Sequence, residues 1–402
     1  MKKDEWRLLW PFYLMALGAA SFSVTLPVWM IFFQHKFTFT QISFAVSVQA
    51  LAAILLEIPA GAAADLFGRK FSVVAGVSLQ GLLWSALPFI NSWSLLYAAF
   101  FLMGGLRALE SGADKAWIVD WLKCNGKGDL IHDMFIKIQS LSSAGLIISS
   151  LLASLLLFFF EIEILFFVQG CGYLIEGLFL FFFAKEESGK REKINNGLIH
   201  NTLRTSKEGV YLLCKNKSLL YLVLATAFAV CLKDFGCLAW QPLLVEMSLP
   251  AEYLGVAFSI ISLTGIVTPF FSKKLLEKIG REKHYLAFTT FVEFITLLLL
   301  YFVNKPFFTL ALIVYLSVTV LSDLQAPVGS RYFQALIPGS LRATMGSVQA
   351  MIFAAFSLVI TVIGGHIMDM KGPKTAIMYF SFFLIPSAVF YLRIKNRAPD
   401  HP

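Results

Sequence analysis

Of the ionisable side chains that interrupt long apolar runs of this 402-residue chain, five are the first candidates to bind charged ligands or exchange protons. They are Arg107, Glu110, Asp114, Lys233 and Asp234. A charge at the centre of a bilayer costs about 2.5 to 3.5 kcal/mol on insertion scales, so such groups face water, one another or a ligand. An acid in this setting can take up and release a proton, and a base can attract an anion.

The fourth apolar run has the densest set of these groups. A continuous helix would place five polar residues on one face, at i, i+3, i+4, i+7 and i+8: Arg107, Glu110, Ser111, Asp114 and Lys115. Two interpretations are open. The stripe could neutralise itself, with Arg107 paired to Glu110, and hold the helix to its neighbours. It could instead relay protons, with a substrate contact at Arg107.

Twelve apolar runs must position these residues. Each has roughly 20 to 26 residues, and about 20 suffice to cross the hydrocarbon. The sequence is 58% hydrophobic and only 14% charged, which is far from a soluble globular composition. It therefore predicts an all-α membrane protein with spans at 8–33, 41–63, 71–90, 94–121, 134–160, 162–184, 218–245, 252–272, 284–303, 306–330, 343–365 and 374–392.

Positive charge alternates between the polar segments that separate the runs. About 25 Lys and Arg residues lie in the odd-numbered segments and about 4 in the even-numbered ones. Since cytoplasmic loops retain Lys and Arg, we expect both termini and the central loop in the cytoplasm, and the chain in the cytoplasmic membrane. The net charge of +8 is spread over these short loops, so a membrane surface explains it without nucleic acid.

The two halves of the chain repeat each other. Corresponding runs start roughly 209 to 213 residues apart, in the same orientation. The sequence therefore predicts two pseudo-symmetric six-helix bundles, 1–184 and 218–402, joined by a polar cytoplasmic linker over 185–217.

A short motif, GAAADLFGRK, joins runs 2 and 3. We expect Gly61 to let a neighbouring helix come close and Gly68 to supply a bend that a side chain would resist. Asp65 is an acid at the membrane surface, and Arg69 helps to hold the loop inside.

A fainter copy, LLEKIGREK, lies about 212 residues further on. There Glu277 takes the place of the acid, Gly280 that of the glycine and Arg281 that of the arginine. Both loops are candidates for a cytoplasmic gate.

These twelve runs, two similar halves, the central loop and the GAAADLFGRK motif together resemble the major facilitator superfamily. The resemblance covers the whole chain. It implies two bundles that face each other across a cavity and rock about a midplane site, and it implies a monomer. Runs 1, 4, 7 and 10 would line that cavity, which would place Arg107 opposite Lys233. The two cations would attract an anionic group, unless Glu110 and Asp234 neutralise them and leave a site for a zwitterion. Lys233 and Asp234 could also be a purely structural buried pair.

A second, partial resemblance is to the drug–proton antiporters, in which an arginine precedes small residues in span 4. Here GGLRALESGADKA supplies Arg107 and Gly112. Span 5 has Gly145 without the proline that follows it in such exporters. We expect export of a small organic molecule, with uptake as the alternative.

The resemblance to transporters also suggests how the cytoplasmic side closes. Asp65 would accept from free N–H groups at the start of span 11, near Ala343, since a carboxylate is favourable at a helix N-terminus. Arg69 would pair with Asp120 at the inner end of span 4. Together these contacts would lock that side in the outward-open state.

Other classes of function fit less well. No nucleotide-binding motif is present, so protons are the expected coupling ion, with Glu110, Asp114 and Asp234 as carriers. No cluster of nucleophile, base and orienting group is evident, so we expect no enzyme, no cofactor and no metal site. A transporter-like sensor that binds without turnover remains a different class.

Overall fold

The structure is a computed structural model that describes residues 3–186, 211–305, 307–337 and 341–395, with the side chains of 3, 4 and 342–344 excepted. Most of the predicted linker, residues 187–210, lies outside these ranges. The described residues form helices and connecting turns, with no strand among them.

The described residues of the first half of the chain form eight α-helices. They are α1 Lys3–Ser21, α2 Trp29–Gln34, α3 Phe39–Phe67, α4 Arg69–Ala86, α5 Trp93–Glu110, α6 Ala113–Cys124, α7 Ile131–Leu157 and α8 Glu163–Phe183. The second half also has eight within its described residues. They are α9 Lys217–Glu246, α10 Leu254–Val267, α11 Pro269–Ile279, α12 Glu282–Phe302, α13 Phe308–Leu336, α14 Arg342–Lys371, α15 Pro373–Ser381 and α16 Leu384–Arg393.

Within the described residues, nine segments are long and apolar enough to cross a membrane, with α15 and α16 forming one of them. A tenth results if α10 and α11, bent by 53° at their junction, form one broken span. The two remaining predicted runs, 8–33 and 94–121, are interrupted: α1 and α2 share the first, and α5 and α6 share the second. The all-α membrane fold is therefore confirmed, but four of the spans among the described residues consist of two helices each.

The chain divides into two compact units. One holds Met1–Glu192 together with Pro250–Ser262, and the other holds Lys193–Leu249 and Leu263–Pro402. In the first unit α3 packs on α5, α4 on α8 and α1 on α7; in the second, α12 packs on α13 and α16, and α9 on α16.

Glycines permit close helix contacts in the first unit. A Cβ at Gly104 of α5 would lie 2.2 Å from the backbone oxygen of Gln49 on α3, and one at Gly81 of α4 would lie 2.7 Å from that of Gly170 on α8. Small residues let backbones approach in this way, and close packing drives helix association in lipid. At Gly61 the expectation of a close helix is wrong, since no described atom lies within 4 Å of the added carbon.

These contacts predict the effect of adding a single methyl group. We expect Gly104→Ala to lower the free energy of unfolding by about 1 to 3 kcal/mol, because the backbone of α3 must move away. The matched control is Gly61→Ala, whose added carbon meets open space. Thermal unfolding in detergent, followed by circular dichroism, measures both, and equal melting temperatures would contradict this packing.

Candidate functional site

The polar stripe of the fourth run is broken between Glu110 and Ala113. Helix α5 ends at Glu110 and α6 begins at Ala113, while Gly112 between them has φ of +83°. Residues with a Cβ rarely adopt that conformation, so the glycine breaks the register of the helix. The prediction that the five polar residues share one face of a continuous helix is therefore wrong.

The expected pair of Arg107 and Glu110 is also absent. Glu110 instead accepts a hydrogen bond from Gln80 on α4, with 3.0 Å between Nε2 and Oε2. Arg107 is exposed, and no ion pair joins it to any other described residue. Its guanidinium is left available to a ligand.

Asp114 lies in the first turn of α6, just after the break. Its Oδ1 atom is buried and has no hydrogen-bond partner within the described part of the chain. A buried polar oxygen without a donor is costly, so this atom is a candidate for a hydrogen bond from a ligand or water.

In the second unit, Lys233 of α9 pairs with Asp323 of α13 rather than with its neighbour Asp234. Lys233 Nζ lies 3.8 Å from Asp323 Oδ1, and the lysine side chain is still 55% exposed. Consecutive residues of a helix point about 100° apart, so Asp234 is directed elsewhere and faces Ser357 on α14. The interpretation of Lys233 and Asp234 as one structural pair is wrong.

Asp323 was missed as a member of this cluster because the sequence places it near the inner end of a run that closes at 330. The helix actually continues to Leu336, which puts Asp323 near the middle of α13. Acids at the middle of a span are functional candidates by default.

Glu293 of α12 is buried, with 4% of its surface exposed, and is also hydrogen-bonded to α13. It accepts from Ser322 Oγ at 2.8 Å and from Gln325 Nε2 at 2.8 Å. Sequence reasoning left Glu293, Ser322 and Gln325 out of the site, and Gln80 as well. In the sequence, each of these residues is marked only as a polar side chain within an apolar run.

The break in the first span is closed by α8. The Thr25 backbone N–H and hydroxyl both donate to Gln169 Oε1, at 3.0 and 2.6 Å. Backbone groups at membrane depth must find such partners inside the protein, so this irregular segment belongs to the protein interior.

At the predicted gate, Arg69 and Asp120 form an ion pair between the start of α4 and the second half of α6. Gly68 has φ of +103°. Glu186, which follows α8, accepts from the N–H groups of Arg69 at 2.7 Å and Lys70 at 3.3 Å. This carboxylate caps α4 by satisfying two of its orphan donors.

Asp65 is exposed, and no hydrogen bond or ion pair of its side chain occurs among the described residues. Its expected contact near Ala343 involves a residue whose side chain is not described, and it stays a prediction. In the second loop, Gly280 has φ of +86° and ends α11, while Glu277 and Arg281 are exposed. Both glycines thus have a positive φ, but their ψ angles differ, at 148° for Gly68 and −27° for Gly280.

An apolar cleft of about 600 Å³ lies between α3, α4 and α5, lined by residues such as Leu79, Phe101 and Leu106. It has no charged side chain. Since α3 and α4 are long and apolar enough to span the membrane and α5 is part of an apolar run, lipid chains would fill it, and it is no candidate for a polar ligand.

Comparison with known proteins agrees with this architecture. A family model described as Major Facilitator Superfamily matches residues 12–276. An uncharacterized MFS-type transporter, YxaM of Bacillus subtilis (strain 168), is 24% identical over 377 residues, which are 94% of this chain and 93% of that protein.

Solved transporters share the fold. A mutant of the nucleoside transporter NupG gives a TM-score of 0.79 at 15% identity and covers 96% of this chain and 100% of its own. An auto-inhibited peptide transporter of the POT family gives 0.73 at 13% identity and covers 98% of each chain. At these identities the likeness shows the fold alone.

Because the Lys233 and Arg107 side chains are exposed, cysteines placed at these two positions should react with a thiol reagent. In a background with the five native cysteines replaced, we expect Arg107→Cys and Lys233→Cys to react with a membrane-impermeant thiol reagent, because water must reach these positions. The matched control is Phe291→Cys: Phe291 is 54% exposed at the middle of α12, and we expect lipid to protect it. If neither cation position reacts from either side of the membrane, no aqueous passage reaches them.

Proposed function

Because the chain belongs to the major facilitator superfamily, we propose that it is a secondary active transporter. It would move a small organic molecule across the cytoplasmic membrane by alternating access, driven by protons. Export is favoured by the partial resemblance of span 4 to the drug–proton antiporters. Proton-coupled uptake and a sensor without turnover are the alternatives.

The observation that carries this proposal is the exposure of two cations within spanning segments. Arg107 lies near the middle of the run shared by α5 and α6, and Lys233 near the middle of α9; both side chains are exposed. Lipid would penalise each by about 2.5 to 3.5 kcal/mol, whereas a water-filled passage would not. A passage lined by charge is what a carrier of polar solutes requires.

The charges also suggest the substrate class. Arg107 has no described ion-pair partner, and Lys233 holds Asp323 at a distance of 3.8 Å, long for a charge-assisted hydrogen bond. Both cations could therefore take an anionic group of a substrate. Since Asp323 and Asp234 remain nearby, a zwitterion with a separate positive group would also be accommodated.

Three acids are proposed as proton carriers. Glu110 and Asp114 flank the break between α5 and α6, and Asp234 lies on α9. A proton that crosses a potential of 100 mV releases about 2.3 kcal/mol of free energy. This free energy can drive substrate accumulation if the three acids are open to only one side of the membrane at a time.

Transport by reconstituted protein tests this function. We expect proteoliposomes to accumulate at least one of three labelled probes, uridine, dialanine or ethidium, when a pH gradient is imposed, with the sign of the gradient revealing export or uptake. Asp114→Asn should reduce probe-driven proton flux, recorded with trapped pyranine, because it removes the titratable group. Wild-type vesicles indifferent to gradients of both signs would refute proton-coupled transport of these probes.

We propose the loop between α3 and α4 as part of the cytoplasmic gate, through contacts of Arg69 with Asp120 and of Asp65 with the start of α14. The ion pair ties α4 to α6, and the capping of α4 by Glu186 fixes the loop that carries Asp65. Asp65 itself has a free carboxylate within the described residues, so it is available to a partner that forms during the cycle.

Asp65→Asn tests the gate. We expect it to increase the reactivity of a cysteine at position 107 toward reagent added from the cytoplasmic side, because loss of the charge weakens the closed state. Asp129→Asn, in the exposed turn before α7, is the matched control. Unchanged reactivity, together with unchanged transport rates in both directions, would remove Asp65 from the gate.

A further inference from the structure

Glu293 forms a network that neither the proton carriers nor the substrate contacts proposed above include. Each of its carboxylate oxygens has its own donor on α13: Ser322 Oγ lies 2.8 Å from Oε1, and Gln325 Nε2 lies 2.8 Å from Oε2. The chain of hydrogen bonds then returns to α12, where Thr290 Oγ1 donates to Gln325 Oε1 at 3.3 Å.

This network has two complete arrangements. With Glu293 ionised, the carboxylate accepts from the Gln325 amide, and Thr290 donates to the amide oxygen. With Glu293 protonated, the carboxyl becomes a donor. A half-turn of the Gln325 amide then presents its oxygen to that proton and its NH2 group to the Thr290 hydroxyl, which can accept as well as donate. One proton and one amide rotation separate the two arrangements.

The charged groups that act electrostatically on Glu293 are Asp323 and Lys233. Asp323 on α13 is 20% exposed, and its partner Lys233 on α9 is 55% exposed. Tyr391 faces Glu293 from α16. The buried carboxyl is thus flanked by charges that are themselves partly exposed.

The repeat supplies an independent observation. When the first half of the sequence is aligned with the second at an offset of about 212 residues, Gln80 falls next to Glu293 and Glu110 aligns with Ser322. The first unit has a hydrogen bond between the equivalent helices α4 and α5, from Gln80 to Glu110. Each unit thus joins a carboxylate to a glutamine amide at this place, with the two groups on exchanged helices.

We propose that Glu293, Gln325 and Thr290 form a proton-binding switch in the second unit, the counterpart of Glu110 in the first. The Glu293 carboxylate takes one proton from water on one side of the membrane to give a neutral carboxyl, and later loses it to water on the other side. Gln325 and Thr290 keep both states hydrogen-bonded, which avoids the cost of an unsatisfied buried polar group. This inference rests on the proposed transport function.

Infrared difference spectra of the protein in lipid, recorded between high and low pH, test the switch without a substrate. We expect a carboxyl band that titrates in the wild type, disappears in Glu293→Gln and returns in Glu293→Asp. Thr290→Val should shift this band, because it removes the partner that the rotated amide needs. Thr296→Val is the matched control, since the Thr296 hydroxyl donates to the backbone oxygen of Val292 on its own helix.

Two results overturn the proposal: a titrating band that survives in Glu293→Gln, or a Thr290→Val spectrum identical to that of Thr296→Val. A transport assay separates this failure from failure of the proposed function. We expect Glu293→Gln to keep exchange of the probe that the wild type carries and to lose its accumulation against a gradient by at least tenfold. Full accumulation by Glu293→Gln contradicts the switch alone, whereas a wild type that carries no probe contradicts the transport proposal while the spectra still decide on Glu293.

Discussion

The cost of holding charge and unpaired backbone inside hydrocarbon governs this structure. Each ionised group at mid-bilayer costs about 2.5 to 3.5 kcal/mol unless water or a partner meets it. The described part of the chain reduces this cost in three ways. Glu293 is buried and Glu110 half-buried, each with a glutamine donor, Lys233 is held by Asp323, and Arg107 is left exposed. The same constraint explains why Gln169 closes the break at Thr25, where backbone groups would otherwise meet lipid.

Each unit has a hydrogen bond between a carboxylate and a glutamine amide, but the two groups lie on exchanged helices. In the first, the carboxylate lies on α5 and the amide on α4; in the second, the carboxylate lies on α12 and the amide on α13. A hydrogen bond between equivalent helices survives the exchange because it needs one donor and one acceptor and is indifferent to which helix supplies each. The contact, rather than the residue, is therefore what the repeat preserves.

Much of the fold could be predicted from the sequence, because lipid imposes long apolar runs and loop charge follows a simple rule. The two turns at Gly68 and Gly280 follow from local chemistry in the same way. Side-chain partners followed only in part. The ion pair of Arg69 with Asp120 was expected from the sequence and is present. The stripe from Arg107 to Asp114 required one continuous helix, which Gly112 interrupts. The sequence offered Asp234 as one possible partner of Lys233, whereas the observed partner, Asp323, comes from a helix whose length the hydropathy pattern underestimates.

The carboxylate of Glu186 lies against the first turn of α4, 2.9 Å from where a side-chain carbon at Gly68 would be. The residue belongs by sequence to the connection between the halves, but its hydrogen bonds bind it to the first unit. Any attempt to express the halves as separate polypeptides would have to cut after this residue. A cut before it would deprive the amino-terminal fragment of its own helix cap.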